Sequence, residues 1–176
     1  VRVLVEKYFG RESLPGTDTG TVVDVILSDN MPEDLRNRIL SQGGFRNPQR
    51  AYVNLMGLAG EGARRDLFTR IALLAWDMLK RMPDPDMALN NWDRFIHSFG
   101  NAEFHYSILL SQPMHLEILL TVFSGSQFLS DTLIRNPFFF DWLTIPDVLH
   151  RVRRREDLET ELRNAARTSL TRQDWL

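Results

Sequence analysis

Few residues in this chain have types and spacings that could do chemistry. Asp18-Thr19-Gly20 matches the triplet of aspartic proteases. That mechanism needs two such aspartates, because a pair of close carboxylates shares one proton. With one copy in a helical chain, the triplet reads as a turn. Asp84-Pro85-Asp86 is an Asp-x-Asp, a pattern that holds Mg²⁺ when both acids leave a strand edge toward one point. Here the intervening Pro85 suits the first turn of a helix, so Asp84 reads as an N-cap. Gly125-Ser126 resembles the Gly-Ser of nucleotidyltransferases, but Asp131-Thr132-Leu133 downstream lacks the second acid and the surroundings are helical. His97, His105, His115 and His150 include no pair at the i, i+4 spacing of a helical metal site, and each reads as a structural or surface histidine. Arg151-Val152-Arg153-Arg154-Arg155 runs straight into Glu156, Asp157, Glu159 and Glu161. That pattern reads as a solvated helix laced by i, i+4 pairs such as Arg155 with Glu159, or as a docking surface for an acidic partner. No catalytic, cofactor-binding or metal-binding residue is assigned.

The elements that must carry these residues are helices. From residue 32 onward the apolar positions recur at three- and four-residue steps and the breaks carry Pro, Gly or Asn-Pro. Pro32, Glu33 and Asp34 start a helix with Leu35, Ile39 and Leu40 on one face, ended by Gly43-Gly44. Asn47-Pro48 opens the next, with Tyr52, Leu55 and Met56 as its stripe and Gly57 and Gly60 as its stop. Residues 61–81 form the clearest helix, expected to be central, with Leu67, Ile71, Leu74, Met78 and Leu79 buried and Leu73 and Trp76 widening the face. After Asp84 come Ala88, Leu89, Trp92, Phe95, Ile96 and Phe99. Shorter helices follow over 102–111 (Phe104, Ile108 and Leu109 inward), 113–123 (Leu116, Leu119, Leu120), 126–135 (Phe128, Leu129, Leu133, Ile134) and 137–143 (Phe139, Phe140, Trp142). A last long helix is expected over 147–168, and another begins at Leu170. Phe138-Phe139-Phe140 with Trp142 is too apolar to leave in water, so it is assigned mainly to core.

These readings give an all-α fold, a compact multi-helix bundle of roughly eight to ten helices with short Pro/Gly/Asn connections. Residues 1–30 read as a linker-like lead-in with at most one short helix, at about 21–28; residues 31–169 as the helical domain; residues 170–176 as the start of a helix leading into a further domain.

Bulk composition fits a folded globular chain: 176 residues, 43% hydrophobic and 25% charged. A net charge of −2 argues against nucleic-acid partners, including a helix-turn-helix reading. No apolar run approaches the ~20 residues of a membrane-spanning helix. The chain has no cysteine, which excludes disulfides and thiolate chemistry and is compatible with a reducing cytoplasm.

Two stretches are more specific than composition. One is Asp84-Pro85-Asp86-Met87-Ala88-Leu89-Asn90-Asn91-Trp92-Asp93-Arg94-Phe95. The other is Ser126-Gln127-Phe128-Leu129-Ser130-Asp131-Thr132-Leu133-Ile134-Arg135-Asn136-Pro137, continuing to Asp141-Trp142-Leu143. With Tyr106-Ser107-Ile108-Leu109-Leu110 between them and Gly44-Phe45 and Pro48 before them, they resemble, in order and spacing, the helical region of the glutamate–ammonia-ligase (glutamine synthetase) adenylyltransferase family. That family joins two nucleotidyltransferase domains by helical segments: one domain attaches AMP to glutamine synthetase, the other removes it, and the signal protein PII and glutamine decide between them. The family's catalytic Gly-Ser and Asp-x-Asp motifs are missing, so the resemblance implies no catalytic residue here. It implies a non-catalytic, cytoplasmic segment upstream of a nucleotidyltransferase domain, in contact with that domain and with glutamine synthetase or PII, while ATP and Mg belong to the parent enzyme. The alternative is a free-standing helical interaction module without activity.

Overall fold

The computed structural model describes residues 20–98, 100–144, 159 and 163. Among them lie nine helices and no strand, which is the all-α architecture expected. In chain order they are α1 (Val22–Leu27), α2 (Glu33–Gln42), α3 (Pro48–Ala59), α4 (Ala63–Leu79), α5 (Pro85–Ser98), α6 (Ala102–Ser111), α7 (Pro113–Gly125), α8 (Gln127–Arg135) and α9 (Phe139–Leu143). The chain divides into two compact units, residues 1–137 and residues 138–176.

Side chains that satisfy the free amides of the first turn define most helix starts. Thr21 and Asp24 cap α1 reciprocally: the Thr21 amide donates to Asp24 Oδ2 at 2.6 Å, and the Asp24 amide donates to Thr21 Oγ1 at 3.4 Å. Asn47 caps α3 ahead of Pro48, accepting the Arg50 amide at 3.0 Å. Asn101 caps α6 and Ser126 caps α8 in the same way. Between α2 and α3, Gly44 turns the chain at φ 90°, in the left-handed region that side chains avoid.

Helix α1 is a packed element. Val22, Val23, Val25 and Ile26 are all buried, and the helix lies against α2, α3 and α4. The lead-in expected to run to residue 30 therefore gives its one described helix to the core of the first unit. Four helices enclose an aromatic centre. Phe68 of α4 stands 5.6 Å from Trp92 of α5 and 5.6 Å from Tyr106 of α6. Phe95 of α5 stands 5.5 Å from Phe123 of α7 and 5.3 Å from the His105 ring of α6, both edge-on.

The buried faces of α5 and α7 are those expected: Ala88, Leu89, Trp92, Phe95 and Ile96 on the first, and Leu116, Leu119 and Leu120 with Phe123 on the second. Phe99 lies outside the described residues. In α2, Ile39 and Leu40 are buried and Leu35 only partly so.

Four other faces differ. Helix α3 runs through Gly57 to Ala59 and buries Ala51, Leu55 and Leu58, leaving Tyr52 and Met56 half-buried. Gly57 does not end this helix; it lets α5 come close, since a Cβ there would stand 2.5 Å from Asp93 Oδ1. Helix α4 carries two overlapping apolar stripes, and the one that packs is Phe68, Ala72, Ala75 and Leu79, with Ile71 alongside. Leu73 and Leu74 face solvent. In α6, His105, Tyr106 and Leu109 turn inward while Phe104 is exposed. In α8, Ser130 and Leu133 turn inward while Phe128 and Leu129 are exposed.

Of the second unit, α9 is described. Phe140 is buried, whereas Phe138 and Phe139 are exposed, their rings 4.5 Å apart, so the Phe-Phe-Phe run is less completely buried than its composition suggests. Glu159 and Arg163 are helical and form an i, i+4 ion pair at 3.6 Å. The Trp142 side chain, the rest of the helix expected over 147–168 and the one from Leu170 lie outside the described residues.

Candidate functional site

Asp84-Pro85-Asp86 sits at the start of α5, and both acids are occupied. Asp84 Oδ1 accepts the Met87 amide at 2.9 Å, the N-cap expected of it. Asp86 reaches across to the next layer: its two oxygens accept the amides of Arg46 at 2.8 Å and Asn47 at 3.2 Å, just ahead of α3. The carboxylate thus ties the starts of α3 and α5 together, 40 residues apart in sequence. Arg50 Nη2 donates to Asn90 Oδ1 at 3.2 Å across the same joint. A shallow groove of about 380 Å³ lies here, lined by Arg46, Asn47, Arg50, Asp84, Asp86, Met87 and Asn90. Asp84 Oδ1 and both Asp86 oxygens accept backbone amides, so the pair serves here to cap and join two helix starts.

The second motif stretch meets the first through side chains. Asn91, at a position of the apolar stripe of α5, is fully buried. Its Nδ2 donates to the Phe123 carbonyl at 3.2 Å and to Gln127 Oε1 at 3.3 Å, and its Oδ1 accepts Gln127 Nε2 at 3.2 Å and Arg94 Nη1 at 3.1 Å. Arg94 Nη1 also pairs with Asp131 Oδ1 at 2.9 Å, which Gln127 Nε2 reaches at 3.0 Å. The hydrogen bonds from Arg94 and Gln127 hold the Asp131 carboxyl below the usual carboxylate range. Asp131, the nearest approach to a nucleotidyltransferase acid, is an anchor between helices. Gly125-Ser126 ends α7 and caps α8.

A second polar joint sits where α3 gives way to α4. Arg64 donates to the Leu58 carbonyl at 3.0 Å and to the Gly57 carbonyl at 2.7 Å, and the buried Tyr106 hydroxyl donates to the Leu58 carbonyl at 2.7 Å. Burial pushes the Tyr106 phenol well above its ordinary value. Asp93 lies beside Gly57. Burial raises its carboxyl above the usual range, opposed by His97, Arg64 and Arg50. Asp93 and Tyr106 stand in the stretches that carry the family resemblance, but Arg64 lies outside them and nothing in its spacing marks it. Asn91 and Gln127 could have been noticed as amides within the two motif stretches, Asn91 on an otherwise apolar face.

The histidines occupy separate places. His97 Nδ1 is 2.8 Å from the Asp93 carbonyl and 3.4 Å from its carboxylate. His105 is buried against Phe95, and burial lowers its pKa to about 4. His115 is partly buried on α7. Among the described residues no three His, Cys, Asp or Glu side chains gather as metal ligands, and no single helix is long and apolar enough to cross a membrane. Asp18, Thr19, His150 and the Arg151–Arg155 run lie outside the described residues.

Known proteins were compared with this chain. It is 30% identical over 125 residues to the bifunctional glutamine synthetase adenylyltransferase/adenylyl-removing enzyme of Bifidobacterium longum (strain DJO10A), a match covering 69% of this chain and 11% of that protein. The protein of the same name from Caulobacter vibrioides is 26% identical over 147 residues, 80% of this chain and 15% of its own length. That from Leifsonia xyli subsp. xyli is 29% identical over 148 residues, 81% and 14%. No family model and no solved structure matches. The chain spans only between 11% and 15% of the length of these relatives. Over most of its length, this chain is a relative of one segment of the bifunctional glutamine synthetase adenylyltransferase/adenylyl-removing enzymes.

Proposed function

We propose that this chain is a non-catalytic helical segment of such an enzyme, positioning a nucleotidyltransferase domain that follows it and contributing contact surface toward glutamine synthetase or PII. The observation that carries this reading is the use made of the motif residues. Asp84 and Asp86 cap and join helices, and Asn91, Arg94, Gln127 and Asp131 fasten α5 to α8. Acids used in this way position backbones, which supports a structural role for these residues. On this reading ATP and Mg bind the nucleotidyltransferase domains of the parent enzyme, and the protein works in the cytoplasm.

The test compares this chain with a protein that adds the coding sequence on either side of it in its gene. With labelled ATP, Mg and glutamine synthetase, the longer protein transfers AMP and the chain alone transfers none. Transfer by the chain alone, a longer protein that transfers none, or a gene with nothing on either side would overturn the reading; the last would favour a free-standing module.

A further inference from the structure

Helix α8 is attached unlike its neighbours. Among the first unit's described helices of nine residues or more, it alone buries a single apolar side chain, Leu133. Ile134 is partly buried beside it, and the other inner contacts are polar. Gln127 exchanges two amide hydrogen bonds with Asn91, Asp131 pairs with Arg94, and Ser130 Oγ is bonded to the Ser126 carbonyl at 2.7 Å and the Val122 carbonyl at 3.3 Å. The outer side carries Phe128 and Leu129, 78% and 51% exposed, which add little burial to hold the helix. Water can replace such hydrogen bonds at small net cost, but it cannot replace apolar burial. The Arg94 and Asp131 side chains are themselves 45% and 32% exposed, so water and salt already reach the pair. On its N-terminal side the helix is preceded by Gly125, the last residue of α7, whose backbone is less restricted than that of a residue with a side chain.

We propose that α8 is a strap with a polar latch, lifting as a unit from the seam between α5 and α7 while α1–α7 remain folded, and uncovering Asn91 and the Phe123 carbonyl as it does so. The latch is the set Asn91, Arg94, Gln127 and Asp131. The strap works whether or not the reading of the parent enzyme holds, since it rests on packing within this unit.

Native-state hydrogen exchange on the full chain tests it. Amides of α8 are expected to exchange roughly 100-fold faster than those of α5, as a locally opening unit does. Arg94→Ala is expected to speed α8 a further three- to tenfold or so, leaving α4 within about twofold. Exchange of α8 at the rate of α5, or equal acceleration of α8 and α4 by the substitution, would overturn the proposal. If Arg94→Ala does not fold, the wild-type chain decides.

Discussion

Helices α7 and α8 follow one another through Ser126, and both are rich in large apolar residues. Yet α7 buries Leu116, Leu119, Leu120 and Phe123, whereas α8 buries only Leu133 and presents Phe128 and Leu129 to solvent. The difference lies in the walls each helix meets. Helix α7 lies against α4, α5, α6 and α8, while within the first unit α8 has its main packing against α5 and α7. Apolar content sets how much surface a helix could bury; the number of neighbours sets how much it does.

The strongest test of this contrast is to cut the same kind of side chain from each helix. Leu120→Ala removes a fully buried leucine of α7 and should cost about 4–5 kcal/mol in urea unfolding followed by far-UV circular dichroism. Leu133→Ala should fall near the low end for a buried leucine, about 2 kcal/mol, because a lightly attached helix can settle into the space. Equal losses would erase the distinction between the two helices.

Acid should act next most strongly, through His105 of α6, in the aromatic centre that α7 helps to enclose. Unfolded, this imidazole titrates near 6.5; folded, near 4. Below pH 6.5 the unfolded chain takes up a proton that the folded chain refuses, so stability falls as the pH drops, by about 2 kcal/mol at pH 5. Above pH 6.5 His105 gives no slope. Asp93 works in the opposite sense: its folded carboxyl is raised, so the cost of its buried charge at neutral pH is relieved as the pH falls. His105→Leu should therefore flatten the acid loss or reverse its sign between pH 6.5 and 5. An unchanged slope would assign the loss to other groups.

Tyr106→Phe should cost less, about 1 kcal/mol by the same unfolding measurement. The hydroxyl is lost, but the Leu58 carbonyl keeps its bond from Arg64 Nε at 3.0 Å and is not stranded. A loss of several kcal/mol would mean that the hydroxyl organises the α3–α4 joint and does more than fill one of its bonds.

The fold class was legible because helix punctuation is local. Asp84 with Pro85, Asn47 with Pro48 and Ser126 act through the amides of the next few residues, and those starts stand where the sequence puts them. Which face is buried was less legible wherever two stripes compete. In α4 the expected row of Leu67, Ile71, Leu74, Met78 and Leu79 holds at Ile71 and Leu79, but Phe68, Ala72 and Ala75 are buried beside them while Leu74 is exposed, and an apolar count undervalues such small residues. The polar joints were the least legible. Asn91 finds Gln127 36 residues away and Tyr106 finds Leu58 48 residues away, pairings that no local pattern contains.

The smallest expected effect falls on the residue that looks most like core by composition. Phe128 belongs to the second motif stretch, only five positions from Phe123, yet it is 78% exposed against 0% for Phe123. With so little surface to return to water, Phe128→Ser should change unfolding stability by no more than about 0.5 kcal/mol, since the Ser126 cap and the Asn91–Gln127 bonds do not use the ring. Unfolding and hydrogen exchange measured on the same variant divide the possibilities. Unchanged stability with unchanged α8 exchange leaves Phe128 as a surface residue of this unit. A loss above about 2 kcal/mol would mean the ring is covered in the folded chain, and the contrast between α7 and α8 would then be one of what covers each helix, with amount of burial no longer separating them.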